Sequence, residues 1–229
     1  MSVHQGHRNR VKEKFLENGF RGMHPHEKLE FLLFFSIPRG DTNPIAHNLL
    51  ERFGNIAGVF DATIEELSKV KGVGINTAIL IKAIPQFARE YAESTRTLNI
   101  ISSTTEAGKH MLPKFIGCTR ETLYITLLDN KSNVIKDVFI SEGTVNQVSV
   151  NVRKIIELSI KYEASRVILG HNHPNGLALP SLADEYTTNK VRDALALIGV
   201  DLFDHIVVAD DDYVSMYDSG YFSKAKRGR

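Results

Sequence analysis

The stretch that most constrains this chain runs from Arg166 to Asp184. Arg166-Val167-Ile168-Leu169 is a short apolar run rich in β-branched residues, which predicts a buried strand. It leads into Gly170-His171-Asn172-His173-Pro174, and a loop containing Gly176 and Pro180 then reaches Ser181-Leu182-Ala183-Asp184, where a helix begins. In an extended backbone residues i and i+2 share a face, so His171 and His173 present both imidazoles to one point in space. The loop lets Asp184 fold back on the strand end. Two imidazoles and one carboxylate are a usual protein ligand set for catalytic zinc, with the fourth position left to water. The metal brings that water's pKa towards neutrality. The chain also carries a control. His24-Pro25-His26 has the same spacing, but the position that would match Asp184 is Ile37 and the pair precedes a helix. Those two histidines read as surface residues.

At 229 residues the chain can form one large domain or two small ones. Apolar residues make up 42% and charged residues 24%, which places it among soluble globular proteins. A net charge of +1 gives no global sign of a nucleic-acid partner, so any such binding must come from a local patch. The tail Lys224 to Arg229 is basic and reads as a solvated end. Cys118 is the single cysteine, which excludes an internal disulfide and a thiolate-rich metal site. With no signal peptide and no apolar run near twenty residues, the chain reads as cytoplasmic with no membrane segment.

Two textures follow one another along the sequence. To about residue 95 the chain reads as a series of short helices: His7 to Asn18, Glu27 to Phe35, a helix opened by Asn43-Pro44 with Pro44 first and Gly54 closing it, a short helix capped by Asp61, and Asn76 to Ala92. Ile45, Leu49, Leu50 and Phe53 share one helix face, and Ala78 and Ile81 with Ile84 or Phe87 another. Ser94 to Thr105 reads as a connection. Beyond it, Leu123–Leu128, Val134–Ile140 and Val167–Leu169 read as strands, Val152–Tyr162 and Asp184–Ile198 as helices, and Ile206–Ala209 with Tyr213–Met216 as a closing hairpin. This order predicts a mixed α/β sheet over 102–223 behind a small helical module over 1–95.

The segment His171-Asn172-His173-Pro174 through Pro180-Ser181 and Asp184 resembles the JAMM (MPN-type) motif, in the version found in the bacterial RadC family. Ser141-Glu142-Gly143-Thr144-Val145 and Asp204-His205-Ile206 resemble further segments of that family, and the resemblance extends over nearly the whole chain. It implies a cytidine-deaminase-like layering and one Zn2+ per chain held by His171, His173 and Asp184. It also implies Glu121 as general base on the first strand and Ser181 as a stabiliser of the developing oxyanion. Without the resemblance Glu121 is a solvated strand-start acid and Ser181 a helix cap. Glu142 is a rival acid at a position the family does not use. Asn172 stands where eukaryotic deubiquitinases have Ser or Thr, which argues against a ubiquitin-type substrate. His205 is either a packed strand histidine or a group behind the metal ligands.

Leu67-Ser68-Lys69-Val70-Lys71-Gly72-Val73-Gly74, followed by Ala78, resembles a helix-hairpin-helix motif, with a degenerate partner between His26 and Phe53. Gly72 and Gly74 permit a tight hairpin, the next helix offers free N–H groups to a phosphate, and Lys69 and Lys71 add charge. Such a contact would hold DNA without reading its sequence. The alternative is a purely structural module. The expected function is zinc-dependent hydrolysis of a peptide or isopeptide bond in a substrate the sequence does not name. A DNA-associated accessory protein with a non-catalytic metal site is the alternative, and a zinc nuclease ranks last for want of a second-metal carboxylate cluster.

Overall fold

The structure, a computed structural model, describes residues 3–95, 100–143, 151–174 and 176–223. The basic tail, Thr144-Val145 and Leu98 lie outside these residues. The chain divides into two compact units, Met1–Ala88 and Arg89–Arg229.

The first unit is helical: α1 (Val3–Asn18), α2 (Pro25–Ser36), α3 (Asn43–Phe53), α4 (Ile56–Asp61), α5 (Ile64–Ser68) and α6 (Ile75–Ser94), which runs on past the division. Its core gathers Leu29, Leu33, Leu49, Val59, Leu67, Ala78 and Ile81, with Ile45, Leu50 and Phe53 packed against them. Three local expectations are corrected. Pro44 is the second residue of α3, not the first. Thr63, not Asp61, caps α5, because its hydroxyl accepts the Glu66 N–H while Glu66 reaches back to the Thr63 N–H; Asp61 instead ends α4, a helix the periodicity did not reveal. Phe87 is 71% exposed, so Ile84, half-buried, is the better of the two inward candidates on α6.

The second unit opens with α7 (Thr104–Met111) and a 3-10 turn at Leu112–Phe115. There follow β1 (Glu121–Leu128), β2 (Val134–Gly143), α8 (Val152–Lys161), β3 (Arg166–Asn172), α9 (Leu182–Ala196), β4 (Asp201–Ala209) and β5 (Asp212–Ser215). α7 is another correction, since its capping box of Ser103 and Glu106 starts a helix inside the stretch read as connection. The five strands form one mixed sheet in the order β2-β1-β3-β4-β5, with β3 and β4 parallel and the other pairs antiparallel.

Alternation along β3 explains the layering. Val167 and Leu169 join Leu123, Ile125 and Leu127 of β1 beneath Ile155 of α8 and Val191 and Leu195 of α9. Ile168 points the other way, with Leu128 and Ile206, towards Ala107, Met111 and Phe115. Helices thus cover both faces, which is why the β3 run is apolar throughout. Gly170 suits this packing, because a Cβ there would stand 2.7 Å from the Met111 sulfur and would have to push that side chain aside. Continuing the alternation from Val167 and Leu169 puts His171 on the α8/α9 face.

Candidate metal centre

His171 is carried to its position by β3. His173 follows the strand's last residue, but its N–H still donates to the Val208 carbonyl at 2.8 Å, so the backbone stays extended along β4 and both rings share a face. Their Nε2 atoms lie 2.9 Å apart. Asp184 is the third residue of α9, and a capping box fixes it there. The Ser181 hydroxyl accepts the Asp184 N–H at 3.2 Å, and Asp184 Oδ2 accepts the Ser181 N–H at 2.7 Å and its hydroxyl at 2.6 Å. This aims Asp184 Oδ1 at His171 Nε2 (3.3 Å) and Oδ2 at His173 Nε2 (3.5 Å). Among the described residues these three form the one group of at least three His, Cys, Asp or Glu whose ligand atoms converge, all within 4.8 Å.

The donor chemistry fits a metal ion. His173 Nδ1 lies 3.1 Å from the Leu177 carbonyl, which can only accept, so the ring's proton sits on Nδ1 and the Nε2 lone pair faces the cluster. Two ring nitrogens and a carboxylate crowded this closely repel one another unless a cation stands among them. Burial opposes ionisation of Asp184, but its contacts with His171, His173 and Ser181 outweigh it and hold its carboxyl well below the usual carboxylate range. The hydrogen bond to Asp184 raises the His173 imidazole above its ordinary value against the effect of burial.

Glu121 is the first residue of β1. Leu123 pairs with His171, so Glu121, two residues earlier, falls on the same sheet face. Its Oε2 is buried and has no hydrogen-bond partner among the described residues. Burial pushes its carboxyl above the usual range; the nearby His171 and His173 lower it and the Asp184 charge raises it. The Asn172 amide grips the chain on either side of Glu121, accepting the Thr122 N–H at 2.8 Å and donating to the Arg120 carbonyl at 3.2 Å. Behind the triad, His171 Nδ1 meets His205 Nε2 at 2.8 Å, and His205 Nδ1 meets the Thr188 hydroxyl at 2.6 Å.

A family described as RadC-like JAB domain matches residues 101–221, the whole of the sheet and its helices. A UPF0758 protein of Fusobacterium nucleatum is 34% identical over 224 residues, which cover 94% of this chain and 97% of that protein. One from Vibrio cholerae is 32% identical over 211 residues, with 92% and 94% covered. One from Staphylococcus aureus is 29% identical over 214 residues, with 93% and 98% covered. The chain belongs to the RadC family. RadC-like JAB domains are related to the JAMM proteins, and some JAB-type domains are hydrolases.

The RadC-like domain draws together His171, His173 and Asp184, sets Glu121 on their face of the sheet and gives Ser181 the role of cap for the Asp184 helix. Glu142, the rival acid, pairs with Thr122 and therefore points to the opposite face, where it lies 3.8 Å from Arg120. His24 is exposed and His26 is half-buried, stacked on His47 at 4.5 Å; parallel rings present faces to one another, not lone pairs to a common point. His205 lies buried behind the triad, against His171. Thr188 went unnoticed in the sequence, although its position four residues after Asp184 put it on the same helix face.

The RadC chain's other expected site belongs to the first unit. Lys69 and Lys71 are exposed in the hairpin between α5 and α6. Gly72 has φ +92°, a conformation that favours glycine, and a Cβ there would also meet the end of the Ile45 side chain at 2.6 Å. Gly74 has neither constraint; it leaves open space before the first turn of α6. Among the described residues no helix is long and apolar enough to cross a membrane.

Proposed function

We propose that this RadC-family chain is a zinc-dependent hydrolase that cleaves a peptide or isopeptide bond, with Glu121 as its general base. The observation that carries the reading is the buried Oε2 of Glu121, without a hydrogen-bond partner among the described residues, on the sheet face that holds the His171–His173–Asp184 triad. Burial that costs a carboxylate stability is tolerated where the group has work to do. When bound, zinc in such a ligand set polarises a carbonyl and makes water nucleophilic near neutral pH. The raised Glu121 carboxyl is then suited to take a proton from the attacking water and hand it to the leaving amine. Ser181 would serve the developing oxyanion by turning its hydroxyl hydrogen away from Asp184, its present acceptor. The test is Glu121→Gln assayed on a peptide library with zinc, beside elemental analysis. A loss of about 10²–10⁴-fold in rate with zinc content unchanged is the expected result. An active variant would sink the assignment.

A contact with DNA is proposed for the helical unit, favoured by the exposed Lys69 and Lys71 beside the open Gly74 and the start of α6. Binding of a duplex by the full chain should be independent of sequence and fall steeply with salt. Lys69→Glu with Lys71→Glu should weaken it, and no binding at low salt would leave the hairpin a structural element.

A further inference from the structure

His171 is a ligand only if its Nε2 is free of hydrogen, and nothing in the ring itself decides that. A metal-bound histidine ordinarily donates its other N–H to a carboxylate or carbonyl, which can only accept. Here the group facing His171 Nδ1 is another imidazole, Nε2 of His205, at 2.8 Å. A neutral imidazole accepts at one nitrogen and donates at the other, so it must itself be told which way to point. The instruction comes from Thr188. Its Oγ lies 2.5 Å from the Asp184 carbonyl, 2.6 Å from His205 Nδ1 and 3.5 Å from the Met216 sulfur. A hydroxyl has one hydrogen. Two oxygens 2.5 Å apart need it between them, because the carbonyl has only lone pairs to offer. The contact with His205 must then be made with the hydrogen that Nδ1 brings.

We propose that Thr188 and His205 are positioning residues that lock His171 in its Nδ1–H tautomer and so keep its Nε2 lone pair turned to the metal. The sequence of donors runs one way: His171 Nδ1–H to His205 Nε2, His205 Nδ1–H to Thr188 Oγ, Thr188 O–H to the Asp184 carbonyl. All three side chains are buried, so no water corrects a wrong tautomer. The relay also ends on the backbone of the third ligand, which ties the proton state of His171 to the placement of Asp184. The claim rests on the reading of the triad as a metal site, and its first test is independent of that reading.

In the full, metal-free chain, long-range 1H–15N spectra of the imidazoles should show both His171 and His205 as Nδ1–H forms, assigned by the signals lost in His171→Gln and in His205→Gln. Thr188→Val is nearly isosteric but leaves His205 Nδ1–H without an acceptor. The relay should reverse, with Nε2–H on His205 and, in turn, on His171. Zinc affinity by chelator competition should then fall about tenfold, the lower end of what a group behind a ligand contributes. Thr188→Ser keeps the hydroxyl and should restore both spectrum and affinity, and His205→Gln, whose amide oxygen can accept from His171, should lose less affinity than His205→Leu. An Nε2–H form of His205 in the wild type overturns the proposal, as does equal zinc affinity in Thr188→Val and Thr188→Ser. Should Thr188→Val fold poorly, the wild-type spectrum and the glutamine–leucine pair still decide it. A wild type that binds no zinc while showing both Nδ1–H forms would overturn the metal reading and leave the tautomer lock standing.

Discussion

Each face of the sheet sets an aspartate against histidine, and the two clusters are built differently. On the α7 face, Asp137 of β2 lies 2.6 Å from the Lys114 ammonium and 2.8 Å from His110 Nε2, and it accepts the Thr126 hydroxyl at 2.6 Å. Its surroundings supply a permanent cation and a hydroxyl proton. On the α8/α9 face, Asp184 has two imidazoles and a serine, with no permanent cation among its contacts. Burial opposes both carboxylates, and in both the neighbours overcome it and hold the group below the usual range. The difference lies in what completes the cluster. Lys114 makes the first a fastening between the 3-10 turn and β2, whereas the second is a group of side chains that could hold a metal ion.

The contrast should separate under perturbation. Zinc at a thousandfold excess over its Kd should stabilise the wild type by about 4 kcal/mol, and Asp184→Ala should abolish that gain in thermal melts. Asp137→Asn should cost about 2–3 kcal/mol in denaturant unfolding, somewhat below a fully buried pair because Asp137 is 30% exposed. Its zinc content should stay at the wild-type level. Should either substitution behave like the other, the division between fastening and receptor fails. Ser181→Ala removes the cap of α9 and should cost about 1 kcal/mol, with a weaker zinc affinity because Asp184 is held less firmly. The smallest effect concerns pH. A carboxyl held low in the folded chain stabilises it above the unfolded value, here 3.8, and that stability is lost as pH falls below it. Metal-free Asp137→Asn should therefore show a flatter decline in unfolding free energy below about pH 4 than the wild type, by less than about 1.4 kcal/mol per pH unit, in denaturant unfolding across pH.

What the sequence revealed and what it concealed divide along physical lines. β3 and its histidines were legible because strand alternation and one flanking loop are local facts, and the helices with a long apolar stripe were legible for the same reason. α4 and α7 were not, since each is too short for periodicity and depends on a cap such as Asn55 or Ser103. Glu121 was legible only through family resemblance: its place on the face of the triad depends on the pairing of β1 with β3. The Thr188–His205–His171 relay joins residues 17 and 34 positions apart, so only the folded sheet brings them into line.

The grip of Asn172 on the start of β1 carries a consequence for measurement. The Thr122 amide is fastened at 2.8 Å to a side chain that sits between the two histidines, one residue from Glu121. Its hydrogen-exchange rate therefore registers how often this strand end lets go, whether or not any substrate is known. Slow exchange at Thr122 would mean that Glu121 and the histidines move as one piece. Faster exchange in Asn172→Ala, with the amide of Ile125 still protected, would mark the opening as local to the strand end, a clock attached to Glu121 itself.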